Sequence, residues 1–300
     1  MDPTTHVDGT RHEPVTTAFE TPEPIALVLG LGAGAVCVRA SDRTDTHVRI
    51  SPGDPAAAAD VRAAELAEIT FADGTLSIGA ARTRRSDLSA GSLAVLVELP
   101  AGSTLHGHAG SADLDAAGRL GKCRFTTTRG DIRLDEVGPV HLRTVSGDLF
   151  LGRVTGSAEI MTGRGRVRVT EVLGAARVSN AHGDTRLGRI TGALKVAAAD
   201  GDVVVDLAYA AVDIRTSTGN VRLNKAACGP VVLRTASGDL ETAVPQDARA
   251  SLDLRTDSGR VTNILRSAEV RAFTRPDVRI RARAGSGNVL VRNAGPRSAR

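Results

Sequence analysis

From Gly130 to Gly238 the chain alternates aliphatic and polar residues in short runs, and each run opens at a fixed distance after a glycine. Two residues after those glycines stand Ile132, Leu149, Val167, Thr185, Val203, Val221 and Leu240; four after stand Leu134, Leu151, Val169, Leu187, Val205, Leu223 and Thr242. Val137, Val154, Val172 and Ile190 make a third column. Ala158, Ala176, Leu194 and Val212 make a fourth, and Ile160, Val178, Val196 and Ile214 a fifth. Apolar residues at i and i+2 with polar residues between them are the period of a strand buried on one face. Each repeat therefore holds two short strands.

The glycines are Gly130, Gly147, Gly165, Gly183, Gly201, Gly219 and Gly238, at steps of 17, 18, 18, 18, 18 and 19 residues. All but Gly165 are followed by Asp or Asn, and Gly138, Gly156, Gly174 and Gly192 keep the same beat. A period near 18 with two turn signals per repeat predicts stacked β coils, each burying its apolar face on its neighbours. Gly, Asp and Asn tolerate the left-handed backbone of a tight corner. Coils about 4.8 Å apart would also stack the corner carboxylates. Arg166, Asn220 and Arg260 interrupt that acidic column and relieve part of its repulsion.

Outside the regular repeat the pattern divides the chain into a disordered tail (1–17), an N-terminal β cap (18–105), the solenoid repeats (106–292) and a disordered tail (293–300). In the cap, Ile25 to Leu29 and Ala35 to Arg39 read as two strands around a turn at Gly30 to Gly34. His47 to Ile50 and Leu93 to Leu99 read as strands, and Asp60 to Glu68 as one or two helical turns. Asp73-Gly74 marks a hairpin, and Ala81 to Gly91 is a polar loop. Beyond Gly238 the corners loosen to Gly259 and Gly287, at steps of 21 and 28. Terminal coils are atypical because they must manage an open sheet edge.

Composition narrows this picture without redirecting it. Aromatic residues are 2% of the chain and Trp is absent, which suits an interior thin enough to be filled by Val, Leu, Ile and Ala. A net charge of +4 is a mild tilt and not the signature of a dedicated nucleic-acid binder. Cys37, Cys123 and Cys228 have no framework spacing, so no disulfide is expected; Cys123 alternates with Phe125 and should face the core. The apolar run Ile25 to Val38 is too short to span a bilayer, and the polar N-terminus lacks a basic n-region. The expected location is cytoplasmic without membrane insertion, the alternative being surface association by a non-classical route.

Several stretches together point to a family. They are F-x-T-P-x-P-I at Phe19 to Ile25, P-G-D-P at Pro52 to Pro55, A-D-G-T-L-S-I at Ala72 to Ile78, V-E-L-P-A-G-S at Val97 to Ser103, and the S-G-D-L repeats at Ser146 to Leu149 and Ser237 to Leu240. As a set, over roughly Phe19 to Val291, the chain resembles the uncharacterised bacterial β-strand-repeat family known as "putative adhesin", a domain of unknown function. The resemblance implies an all-β fold, a right-handed single-stranded β-solenoid (β-helix), and carries over no catalytic residue.

Candidate chemistry is sparse. Gly30, Gly32 and Ala35 satisfy a loose dinucleotide fingerprint, but Val36, Cys37 and Val38 continue as a strand where that motif needs a helix. His106-x-His108 places two imidazoles on one strand face without a third ligand in sequence reach. The Gly-Asp corners offer at most one carboxylate each, fewer than a calcium-binding β-roll supplies. Asp135, Glu136, Glu159 and Glu171 are scattered and do not converge as a glycan-cleaving pair would. No catalytic residue, cofactor or metal is assigned. Two rows of outward arginines remain: Arg133, Arg168, Arg186 and Arg222, and Arg143, Arg215, Arg234 and Arg255. The expected function is a non-enzymatic interaction or scaffold module with a protein partner. The alternatives are a weak binding surface for acidic glycan or nucleic acid, and a carbohydrate-active β-helix enzyme.

Overall fold

The computed structural model describes residues 14–80, 91–265 and 277–295. It opens with β1 (Val15–Glu20), β2 (Ala26–Ser41), β3 (Asp45–Pro52), helix α1 (Ala58–Glu65), β4 (Ala67–Ala72), β5 (Thr75–Ala80), β6 (Ser92–Pro100) and the long β7 (Thr104–Leu120). Two strands per coil follow. They are β8 (Cys123–Arg129) and β9 (Ile132–Val137), β10 (Val140–Ser146) and β11 (Leu149–Val154), β12 (Ala158–Arg164) and β13 (Val167–Val172), β14 (Ala176–His182) and β15 (Thr185–Ile190), β16 (Leu194–Asp200) and β17 (Val203–Ala208), β18 (Val212–Thr218) and β19 (Val221–Leu223), and β20 (Gly229–Ser237) and β21 (Leu240–Val244). The last strands are β22 (Arg249–Ser258), β23 (Val261–Ile264), β24 (Asp277–Ser286) and β25 (Val289–Asn293). Among the described residues no helix is long and apolar enough to cross a membrane.

The chain is a β-solenoid. First strands of successive coils pair in parallel, and so do second strands, in the register of the corner glycines: Leu149 lies between Ile132 and Val167, and Ile160 between Leu142 and Val178. All five aliphatic columns face inward and are buried. Among the described residues Phe125 is the largest fully buried side chain, and it fits because its stacking neighbour is Gly107, whose Cβ would lie 2.6 Å from the ring. Cys123 is buried beside it, and desolvation pushes its thiol up to about 12; it is an inert core residue at neutral pH.

The corner is built from three parts, only one of which is conformational. Gly165 has φ +140°, and a Cβ there would come 2.0 Å from the carbonyl oxygen of Gly147. Glycine is needed for both reasons. The Asp beside it is not left-handed, contrary to the turn-tolerance argument; among the described non-glycine residues only Asp73 of the β4–β5 hairpin has a positive φ. Instead its carboxylate accepts the backbone N–H of the equivalent residue one coil on. Asp131 accepts from Asp148 at 2.9 Å, Asp148 from Arg166 at 2.7 Å and Asp202 from Asn220 at 2.8 Å. Inside the corner, Thr127, Thr144, Thr162 and Thr216 each donate a hydroxyl hydrogen to the carbonyl two residues later. Backbone groups that a turn would leave unpaired are thus satisfied. Arg166 also pairs with Asp148 at 2.8 Å. Burial opposes ionisation of Asp148, but the backbone N–H and guanidinium of Arg166 outweigh it and hold the carboxyl below its usual range.

At both ends the order of coils departs from the order of the chain. β2 runs as one strand through Gly30 to Gly34, with the coil's corner inside it. Gly30 continues the ladder beside His108, and Gly34 (φ +144°) is a corner of the same kind as Gly165. β2 stacks in parallel on β7 from Ala26↔Thr104 to Ala40↔Gly118, so parallel stacking starts upstream of His106. On its other side β2 meets β5 and β6. Antiparallel strands cover that outer coil: β3 pairs with β6, β1 with β3 and β4 with β5, and Phe19 of β1 touches Phe71 of β4 at 5.0 Å. In α1, buried Asp60 accepts the N–H groups of Asp54 (2.9 Å) and Ser92 (2.8 Å), fixing the helix to the start of β6. β1 begins inside the segment expected as tail. The disorder expected of 1–13 and 296–300, and the loop expected at 81–90, lie outside the described residues.

At the C-terminal end β24 lies between β20 and β22, and β25 between β21 and β23. Gly287 therefore stacks on Gly238, and Gly259 on Gly287. The loosened corner spacing has this cause: the chain jumps one coil outward and then returns to fill the gap.

Candidate binding surface

Side chains between the buried columns point outward, and parallel register turns them into straight rows about 4.8 Å per step. The predicted row on the second strands runs Asp115, Arg133, Phe150, Arg168, Arg186, Val204, Arg222 and Glu241. It is interrupted by Phe150, Val204 and Glu241, which stand three residues after Gly147, Gly201 and Gly238 as the arginines do after their own corners. Arg133 sits over the Phe150 ring at 5.2 Å and pairs with Asp131 at 3.0 Å; Arg222 pairs with Glu241 at 2.7 Å. Arg168 and Arg186 are true neighbours, without an ion-pair partner among the described residues. They flank a hollow of about 280 Å³ that Phe150, Asp184 and Val204 also line.

The predicted row on the first strands is likewise discontinuous. Met161, Ser179 and Ala197 separate Arg143 from Arg215. Arg215 and Arg234 are adjacent, and the row continues through Arg283 to Arg255. Spacing along the sequence cannot place Arg283 there, because the insertion of β24 is invisible to it.

One strand position earlier on the same face runs His106, Arg124, His141, Glu159, Arg177, Lys195 and Asp213. His106 and His108 stand exposed in neighbouring rows, next to Arg124 and Thr126. The pair His141–Glu159, at 3.1 Å across adjacent coils, went unnoticed in the sequence. Glu171 lies between Arg153 (3.3 Å) and Arg189 (3.5 Å), and Asp135 accepts the N–H of Gly118 at 3.3 Å. These carboxylates are spent on neighbours one coil away. Beside the row runs a groove of about 640 Å³, open to solvent, with Ala175, Ala193 and Ala211 on its floor and Arg177 and Lys195 along its side. Small residues at one turn position in three successive coils make it.

Among solved structures, the chain is similar to a "putative lipid binding protein" from Parabacteroides distasonis at 13% identity and TM-score 0.46, covering 93% of this chain and 96% of that one. It is also similar to a "putative adhesin" from Parabacteroides merdae at 12% identity and TM-score 0.33, with coverage of 93% and 96%. A third likeness is to a "putative cell adhesion protein" from Clostridium sporogenes, at 10% identity and TM-score 0.20, with coverage of 94% and 100%. No curated protein matches. The match that decides kinship is to a family of domains of unknown function and runs over residues 27–293, from the first parallel strand to the last. It spans both reordered ends and every coil between them, and the protein belongs to the Toastrack DUF4097 family.

Proposed function

We propose that this solenoid is a non-enzymatic interaction module that receives an extended protein segment along the groove floored by Ala175, Ala193 and Ala211. The observation that carries the reading is the shape and charge order of that groove. It crosses consecutive coils as an open track, and its charged row reads Glu159, Arg177, Lys195, Asp213. Positive charge in the middle and negative charge at both ends favour a segment acidic at its centre, and complementarity of this kind fixes register more than it adds affinity. A rigid ladder presents the track preformed, which lowers the entropic cost of binding.

A photo-crosslinking residue at Ala193 should capture a discrete partner from native lysate, while the same residue at exposed Val145 of β10 should not. Charge reversal of Arg177 and Lys195 to Glu should abolish capture at unchanged melting temperature. Equal capture at both positions, or capture that survives the reversal, would remove the groove from the account. Turnover in a broad hydrolase screen that disappears with Glu171→Gln would replace the module by an enzyme.

A further inference from the structure

We propose that the outward face of β18, β20, β24 and β22 is a second binding site, one that takes the oxyanion groups of an acidic glycan. The register sets Arg215, Arg234, Arg283 and Arg255 on four consecutive strands, in that order, about 4.8 Å apart. Like charges directly across neighbouring strands destabilise a sheet. Elsewhere the solenoid interrupts long runs of like charge: Arg166 and Asn220 enter the corner aspartates, Phe150 follows Arg133, and Glu241 follows Arg222. Here four arginines stand in a row, and the chain reaches that arrangement only by inserting β24 out of sequence order.

The carboxylates nearby pair with Arg215, with Arg255 and more loosely with Arg283, and leave Arg234 charged. Asp213 takes Arg215 at 2.9 Å. Asp253 is shared among Arg255 (3.2 Å), Arg281 (3.2 Å) and Arg283 (3.8 Å). Arg234 has no carboxylate partner among the described residues, and its buried Nε has no hydrogen-bond partner. Its outward neighbours on β20 are Val232 and Ala236, which offer nothing to a guanidinium. Guanidinium forks present parallel donors to carboxylate or sulfate oxygens, and an anion laid against the outer guanidinium nitrogens of Arg234 and Arg283 answers the repulsion.

A chain of such anions fits the ladder better than a single ion does. A glycan fits better than a nucleic acid, because the outward residues of these four strands include no aromatic ring on which a base could stack. The site abuts the groove at Asp213 and Val232, and none of its four arginines lines the groove.

Heparin is the probe. The full chain should bind it at low salt with an affinity that falls steeply as salt rises. The double substitution Arg234→Gln with Arg283→Gln should weaken binding by at least about tenfold and flatten the salt dependence. Arg168→Gln with Arg186→Gln, on the other strands, should leave binding unchanged. Because the ladder is repulsive when empty, Arg234→Gln alone should raise Tm by about 1–3 °C. Failure of the wild-type chain to bind heparin, or equal losses from the two double variants, would overturn the site. A fall in Tm for Arg234→Gln would make the ladder structural, and tighter binding to single-stranded oligothymidine than to heparin would overturn the glycan.

Discussion

The two ends of the solenoid use the same topological device and finish it differently. At the N-terminal end β2 comes early in the chain yet lies inside the stack, between β7 and the outer coil made by β5 and β6. At the C-terminal end β24 and β25 come last, yet they too lie inside, beneath an outer coil made by β22 and β23. At the C-terminal end the last strands are clamped between two coils and cannot fray strand by strand from the terminus, whereas at the N-terminal end the clamped β2 is preceded by β1, which pairs with β3. The outer coils are not alike. β6 and β5 are covered by antiparallel strands, and Leu76, Ile78, Val95 and Val97 are fully buried there. The inward-facing Leu252 and Leu254 of β22 are only half-buried, and Val261 and Ile264 of β23 are 43% and 54% exposed. A covered edge is a permanent end; an edge without such cover among the described residues is where pairing and opening concentrate.

Truncating matched leucines is the most severe way to break this comparison. Leu29, inside the N-terminal end and without solvent exposure, should cost about 2–5 kcal/mol as Leu29→Ala, the range for a buried leucine whose cavity cannot collapse. Leu254→Ala in the outer C-terminal coil should cost less than about 1 kcal/mol, since little apolar area is lost from a half-buried site. Urea denaturation of the two variants measures both. Equal costs would mean that the C-terminal coil is covered as well as the N-terminal one.

The middle of the molecule was legible in the sequence because every coil there repeats one local rule, and a two-residue alternation after a corner glycine has only one register that buries it. Val169 and Arg168 land on opposite faces from that rule alone. Both ends were less legible for a physical reason. Whether Gly259 or Gly287 stacks on Gly238 depends on which coil is better buried between two neighbours, and two equally spaced apolar patterns cannot express that choice. Gly30 to Gly34 hides two roles in one run: Gly30 sits within the ladder while Gly34 is the corner, and the two look the same in sequence. The arginine rows divide the same way: their outward direction and the breaks at Phe150 and Val204 follow from the corner spacing, while the intervening Arg283 depends on coil order.

Amide exchange tests the clamp without mutation. Protection normally falls toward a terminus, because terminal segments open locally at low cost. Here the amides of β24 that pair with β20 should exchange at least about tenfold more slowly than those of β22, although β24 is nearer the end of the chain. The reverse order, with β22 outlasting β24, would show that the outer coil is the stable one and the returning strands a late addition.

Glu241 sharpens the comparison with the smallest effect, because it ties the inserted strand to the regular coils through one carboxylate. From β21 it accepts from Arg222 of β19 and Arg292 of β25, each at 2.7 Å, so three strands meet on one side chain. Burial disfavours its charged form, but the hydrogen bonds from Arg292 and Arg222 outweigh that and hold its carboxyl below the usual range. A depressed folded-state value means that the group contributes stability at pH above the ordinary glutamate range, and that this contribution is lost as pH falls through the folded value. Glu241→Gln should therefore cost about 1 kcal/mol or less near neutral pH, the scale of a partly exposed ion pair. The difference in Tm between variant and wild type should shrink toward zero as the medium is taken below the ordinary glutamate range and through the depressed folded value. In amide exchange at neutral pH the loss should appear in β25 before β21, because β25 depends on the clamp while β21 keeps its regular neighbour β19. A uniform loss across all three strands would make Glu241 an ordinary surface pair with no part in seating the end of the chain.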